Sequence, residues 1–242
     1  MLKGEEQSLD KYLSQYITPN KRIKIKEALD NRTKYLTLVL EDIYQTLNAS
    51  AAIRTCECLG IQNIHIIEKT HKFRVRKTVV RGATKWIDIK RYRSETENST
   101  LTCIKELKAE GYKIAATTPN TEGHDLTTLP LDRKIAVMFG SEHSGLSEEA
   151  IAAADYYLKI PIHGFTSSYN ISVSVGITMY ELLSRIRNSE LNWQLSETEK
   201  KDYSLEWLKR HVRKSYLLEK NFLKKKYGSR RKRENLITPD EA

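Results

Sequence analysis

Three short stretches of the chain carry residue types suited to holding a polar ligand. "TLNASAAIRTCECLGI" (46–61) sets Asn48 and Arg54 among small and apolar neighbours. "GSEHSGLS" (140–147) places Glu142 between Gly140 and Gly145, and "IHGFTSSYNIS" (162–172) carries Ser168 and Asn170. Asn, Ser and Glu can orient a substrate through short hydrogen bonds, while Arg supplies a permanent charge and a fork of donors. Each also has an ordinary reading: Glu142 as a solvated loop acid, Asn170 as a helix cap, and Arg54 as the ion-pair partner of an acid such as Glu142. The two glycines allow a close backbone approach or a positive φ. "GSEHSG" is neither a G-x-G-x-x-G fingerprint nor a phosphate loop, and neither motif occurs elsewhere, so an ordinary nucleotide-binding α/β enzyme is excluded.

The elements that must position these stretches alternate regularly. "YLTLVLE" (35–41) reads as a strand, and Asn48 is expected to cap a small-residue helix ending at Gly60. Strands follow at 63–68 and 86–92, then a helix over 95–110 that stops at Gly111, and a strand at 112–118. "KIAVMFG" (134–140) is the most apolar strand; Ser147 with Glu148 and Glu149 opens a helix, 156–161 is the last strand, and 170–186 a largely apolar helix. This rhythm predicts an α/β fold with a mainly parallel sheet flanked by helices. Each of the three stretches then follows the carboxyl end of a strand, where such sheets bind ligands.

Residues 1–34 and 191–242 break the rhythm and are expected to be basic helical extensions of a central domain at 35–190. "NKRIKIK" (20–26) contributes Lys21, Arg22, Lys24 and Lys26, and 200–234 holds 14 basic residues against 4 acidic, among them Lys209, Arg210 and Arg213. With Leu205, Leu208 and Val212 at helical spacing beneath them, these flanks suit a polyanion, and RNA above all. The whole chain, 242 residues at 39% hydrophobic content, carries 41 Lys and Arg against 31 acids, a formal charge of +10. Taken alone, that charge serves solubility as well as it serves RNA. Cys56, Cys58 and Cys103 suit neither a disulfide framework nor a zinc site, and six scattered histidines lack metal spacing, so no metal is expected. No run approaches the ~18 apolar residues of a membrane span, and a cytoplasmic protein is expected.

Together, "LVLEDIYQTLNASAAIRTCECLGI", "IAVMFGSEHSGLSEEAIAAAD" and "LKIPIHGFTSSYNISVSVGITMYE" resemble, in order and spacing, the three motifs of the SpoU/TrmH branch of the SPOUT RNA methyltransferases. The basic flanks resemble those of the tRNA ribose methyltransferases in that branch. The resemblance implies a C-terminal deep trefoil knot, bound S-adenosylmethionine, and a homodimer whose active site lies at the subunit interface. It implies 2′-O-methylation of a tRNA ribose, that of the D-loop guanosine at position 18. Ribosomal RNA is the alternative substrate, and a catalytically idle RNA-binding protein the alternative class. Relatives acting on ribosomal RNA often carry a separate N-terminal RNA-binding domain, for which the 34 residues before the first strand leave no room.

By the same resemblance Arg54 is the catalytic residue at the ribose hydroxyl, with Asn48, Glu142, Ser168 and Asn170 orienting it and the target ribose. The adenine of the cofactor would be held by backbone at Thr117, Gly140, Ile160 and Tyr169. Tyr169 departs from the usual leucine, so the contacts there are altered. Arg81 and Lys85 in "RGATKW" (81–86) resemble a family loop that meets phosphate, although a solvated turn fits them equally, and Trp86 is expected in the core. Arg185 and Arg187 stand one position later than the family's RNA-contacting arginines, and one residue turns a helical side chain by about 100°.

Overall fold

A computed structural model describes residues 8–119 and 123–234, the last nine of them as backbone only. The ends of both expected extensions, residues 1–7 and 235–242, lie outside the described residues. In chain order the elements are α1 (Leu9–Ser14), α2 (Pro19–Asp30), β1 (Leu36–Glu41), α3 (Thr46–Leu59), β2 (Asn63–Ile67), α4 (Lys77–Val80), β3 (Asp88–Tyr92) and α5 (Ser99–Ala109). There follow β4 (Tyr112–Thr117), β5 (His124–Asp125), β6 (Lys134–Phe139), α6 (Glu148–Ala153), β7 (Tyr156–Lys159), α7 (Ile171–Arg187), α8 (Glu197–His211) and α9 (Ser215–Glu234). They divide into two units, 31–194 and a second made of 1–30 with 195–242.

The first unit is built on one sheet in the order β3-β2-β1-β6-β4-β7-β5, and every pairing in it is parallel. Parallel strands buried on both faces read as unbroken apolar runs, and β1 and β6 do so. Successive side chains then divide between two cores. Leu36, Leu38 and Leu40 join Ile53, Phe139 and Val175 on the face covered by α3 and α7, whereas Val39 joins Cys103, Leu107 and Met138 on the face covered by α5 and α6. The strand β6 enters the sheet between β1 and β4 although it follows both in sequence. As a result β1, β6, β4 and β7 are consecutive neighbours, and the loops leaving their carboxyl ends share one edge.

Two buried contacts fix that edge and the turn beneath it. The Glu41 carboxylate, at the end of β1, accepts from Thr100 Oγ1 (2.5 Å), Ser147 Oγ (2.7 Å) and Ser147 N (2.9 Å) and pairs with Lys69 Nζ at 3.0 Å. At the far end of α3, Gly60 adopts φ 85°, and a Cβ there would lie 2.4 Å from the Asn31 carbonyl oxygen. Only glycine serves both the left-handed cap and that approach.

Several local expectations need correction. The helix expected to begin at Asn48 begins at Thr46, so Asn48 lies inside it and is released from capping. The 95–110 helix starts at Ser99 because Asn98 caps it, its side chain accepting from the N–H groups of Thr100 and Leu101. Trp86 is only half buried, and Ile87 takes the core position instead. The short strand β5 and helix α4 carry too few residues to produce a period.

In the second unit α8 opens with a full capping box between Ser196 and Glu199, and buries Tyr203, Trp207 and Leu208. Lys200 pairs with both Asp30 and Glu197. No helix among the described residues is long and apolar enough to cross a membrane.

His65 on β2 is 4% exposed, with Nδ1 3.1 Å from the Tyr92 hydroxyl and no partner at Nε2 among the described residues. Burial first, and the Lys90 charge second, push its pKa down to about 4 from 6.5. The unfolded chain therefore binds a proton that the folded chain refuses between these values. The contribution of His65 to stability is full above pH 6.5 and is lost as the pH falls toward 4. Urea unfolding should show this as a slope of at most about 1.4 kcal/mol per pH unit, and His65→Gln should reduce it.

Candidate active site

The loop after β6 is closed on itself. Ser141 and Gly145 exchange backbone hydrogen bonds of 3.1 and 2.9 Å, and Gly145 takes φ 70°. A Cβ on Gly140 would fall 2.1 Å from the Gly145 carbonyl carbon, so the turn closes only over a glycine. Ser147 ends the loop by capping α6 and donating its hydroxyl to Glu41.

This closure presents Glu142 to the first turns of α3. Its Oε1 accepts from Asn48 Nδ2 at 2.8 Å, and its Oε2 accepts from the Tyr44 N–H at 3.2 Å. Asn48 Oδ1 in turn accepts from Asn170 Nδ2 at 3.1 Å. Asn170 Oδ1 caps α7 by accepting from Ser172 N at 2.9 Å and from Ser172 Oγ at 2.7 Å. The helix-cap reading of Asn170 and its role in the polar cluster are thus both satisfied by one side chain. Three residues far apart in sequence form one directed chain, Asn170 to Asn48 to Glu142; Glu142 is an exposed loop acid, as its ordinary reading has it, and is also bonded at both carboxylate oxygens.

A cavity of about 720 Å³ opens over this chain. Asn48, Glu142, Ser168 and Asn170 line it together with Thr117, Gly140 and Tyr169. A smaller adjoining cavity of about 130 Å³ adds Ile160, with Leu158 and Ile162, beside the same Thr117, Ser168 and Tyr169. Thr117 is fixed at the end of β4 by donating to the Met138 carbonyl at 2.8 Å, and the Tyr169 hydroxyl reaches the Pro161 carbonyl at 3.5 Å. Both cavities sit at the shared sheet edge, by the ends of β4, β6 and β7.

Arg54 is the exception. It is exposed on α3, turned away from the buried Ala52, Ile53 and Cys56, and lines neither cavity. Its cost of burial therefore never arises. The expected alternative, a pair with Glu142, does not form: Glu142 accepts instead from Asn48 and from the Tyr44 N–H.

The basic residues are distributed less simply. Lys24, Lys26 and Arg213 are exposed, and Lys21 is half buried on α2. Arg22 donates to the Ser14 carbonyl, Lys209 pairs with Glu219 at 2.6 Å, and Arg210 pairs with Glu206. Arg81, at φ 44°, and Lys85 are exposed on either side of Gly82. Arg185 donates to the carbonyls of Leu126 and Leu129, and Arg187 to those of Leu59 and Asn31. The shifted arginines of α7 thus hold backbone. Sequence reasoning missed a richer segment: Lys69, Lys72, Arg74, Arg76 and Lys77 precede Arg81 and Lys85 with no acid between them. The N–H of Arg76 donates to Ser50 of α3, which lays that segment along the helix bearing Arg54. Its charge run was the available signal.

A parallel α/β domain with a polar cavity over adjacent strand ends defines a ligand-binding α/β protein. Within that class the chain belongs to the SpoU rRNA methylase family, whose pattern matches residues 35–180. It is 44% identical over 211 residues to the tRNA (guanosine(18)-2′-O)-methyltransferase of Borreliella burgdorferi, an overlap of 87% of this chain and 94% of that one. It is similar in fold, at TM-score 0.71 and 26% identity, to the crystal structure of the A. aeolicus TrmH/SpoU tRNA modifying enzyme, covering 81% of this chain and 98% of that one. The SpoU methyltransferase AviRb of Streptomyces viridochromogenes, in complex with the cofactor AdoMet, shares the fold at TM-score 0.54 and 18% identity, over 68% and 62% of the two chains.

Gly140→Ala should force the 140–147 turn open and lower the melting temperature by about 5 °C or more, as overpacking of a closed contact does. Differential scanning calorimetry would measure it, and an unchanged melting temperature would show that the turn has slack.

Proposed function

We propose that this chain is a homodimeric, S-adenosylmethionine-dependent tRNA methyltransferase of the cytoplasm, acting on the 2′-hydroxyl of guanosine 18 in the D-loop. The reading is carried by the 44% identity to an enzyme of that name, which extends over nearly the whole of both chains. The conjunction of Asn48, Glu142, Ser168 and Asn170 over one cavity supports it. The same reading includes a deep trefoil knot in the C-terminal half of the first unit; the entry of β6 between β1 and β4 is consistent with it.

The cavity suits S-adenosylmethionine in size and chemistry. Leu158, Ile160, Ile162 and Tyr169 offer an apolar slot for adenine, while Thr117, Gly140 and Ile160 are the residues whose backbone would meet its edge. When bound, that cofactor supplies an electrophilic methyl group on a sulfonium. What remains for the chain is to bring the ribose oxygen into line with it. Asn170, Asn48 and Glu142, already bonded to one another, are suited to fix the ribose with little reorganisation. Arg54 cannot act as a base, since its guanidinium stays charged. Its role here is to stabilise the negative charge that develops on the ribose oxygen as the hydroxyl proton passes to a phosphate oxygen of the RNA.

A second copy brings Arg54 to a cavity that its own chain does not turn it toward. Its exposure supports this, as does the apolar stripe Val173, Ile177 and Tyr180 left open on α7, the helix packed against α3. Lys21, Lys24, Lys26, Arg81, Lys85 and Arg213 are the charges we assign to the RNA backbone, with Arg22, Lys209 and Arg210 contributing after exchange of their internal partners.

The test is methyl transfer from labelled S-adenosylmethionine to unmodified transcripts: tRNA with guanosine or adenosine at the D-loop target, and ribosomal RNA fragments. Label on the guanosine tRNA alone is expected. Label only on ribosomal RNA would overturn the substrate, and tRNA binding without any transfer would favour the idle RNA-binding protein. Arg54→Ala should lower kcat by roughly 10²–10³-fold, the magnitude of a lost oxyanion donor, with tRNA affinity nearly unchanged. Equal loss of affinity would reassign Arg54 to binding.

A further inference from the structure

The loop between β1 and α3 holds an aromatic ring in the open with unusual care. Tyr44 is 55% exposed, yet it is braced from three directions. Its N–H is bonded to Glu142, one of the residues that line the cavity. The His71 ring meets it edge-on at 5.0 Å between centroids, and the His143 ring does so at 5.6 Å. His71 is itself fixed by Asp42, whose Oδ2 lies 3.1 Å from Nδ1 and whose Oδ1 accepts from the His71 and Lys69 N–H groups at 2.8 and 3.0 Å. Asp42 holds this position at φ 50°, an unfavourable backbone for a residue other than glycine. Three loops thus converge to immobilise one ring without covering it.

We propose that Tyr44 is a stacking platform for an unpaired nucleobase of the RNA substrate, either the target base or its immediate neighbour. The inference rests on the RNA methyltransferase reading and adds to it a residue that selects for an unstacked base. Single-stranded RNA is recognised largely by bases stacked on aromatic rings beside cationic groups that meet the phosphates. Lys72 and Arg74, both exposed, follow in the segment that carries His71. The ring is flanked by two imidazoles, and these cations stand in the segment that carries one of them. The exposed apolar stripe of the same unit lies elsewhere, on α7. A preformed ring also removes the ordering cost that a mobile side chain would add to base capture.

Tyr44→Ala, Tyr44→Phe and Tyr44→Trp would be compared with the unmodified protein in tRNA methylation. Calorimetry of S-adenosylmethionine and light scattering for mass would accompany it. Tyr44→Ala should lose roughly 10- to 100-fold in kcat/KM for tRNA, the worth of one stacked base, with cofactor affinity and mass unchanged. The Phe and Trp variants should restore activity, because a π-face is all that stacking needs. A D-loop transcript carrying 2-aminopurine at the target should be quenched on binding the unmodified protein and the Trp variant, and should stay bright with Tyr44→Ala. Full activity of Tyr44→Ala would overturn the inference, and a changed mass would show that a second copy covers the ring. Loss of cofactor affinity would make the residue a support of the cavity, and a Phe variant as poor as Ala would point to the hydroxyl. Failure of the unmodified protein to methylate any RNA would refute the enzymatic reading, and the 2-aminopurine signal would still decide whether a base stacks on Tyr44.

Discussion

The buried carboxylate of Glu41 is the contact on which the site depends. A carboxylate taken out of water costs several kcal/mol unless its oxygens are fully bonded. Here the required donors come from Lys69, Thr100 and Ser147, three segments far apart in sequence. The charge is satisfied only when the basic segment, the start of α5 and the end of the 140–147 loop arrive together. Satisfying Glu41 therefore sets the loop that carries Glu142. From Glu142 the order passes through Asn48 to Asn170 and the start of α7. One buried acid at the end of a central strand thus registers loops that the sheet alone would leave independent.

The neighbouring Asp42 performs the same kind of task for a smaller region. It gathers the N–H groups of Lys69 and His71 and the His71 ring, and these bonds outweigh the opposing effect of burial to hold its carboxyl below the usual range. Two adjacent acids at the end of β1 therefore face different charges: Glu41 organises the interior of the edge, and Asp42 its outer rim. Chemistry at this edge needs few moving parts, since the polar chain and its supports are bonded before any ligand arrives. The open element is Arg54, which belongs to α3 but not to the cavity of its own chain.

Much of the first unit was legible in the sequence, for physical reasons that can be named. Strands buried on both faces announce themselves as apolar runs, as 36–41 and 134–139 do, and Ser147 and Asn170 are strong capping residues in the right places. Asn48 misled, because a residue with good capping chemistry was used inside the helix to bind Glu142. The segment 69–85 was nearly invisible as structure, since α4 is shorter than two turns and its order comes from Glu41, Asp42 and Ser50. The candidate site was legible as a set of three stretches, but its internal order was not. Nothing in the spacing of residues 48, 142 and 170 says which amide donates to which oxygen. The exposure of Arg54 was hidden too, because small neighbours on a helix suggest burial whichever way the arginine turns.

The most direct measurement mixes two inactive variants. Arg54→Ala and Asn170→Ala chains would be refolded together and assayed for methyl transfer to tRNA. If Arg54 serves the cavity of a second copy, the mixed dimers hold one site with both residues intact, and random pairing returns about a quarter of the unmodified activity. If each cavity is completed within its own chain, no intact site exists in any pairing, and the mixture stays as inactive as its parts.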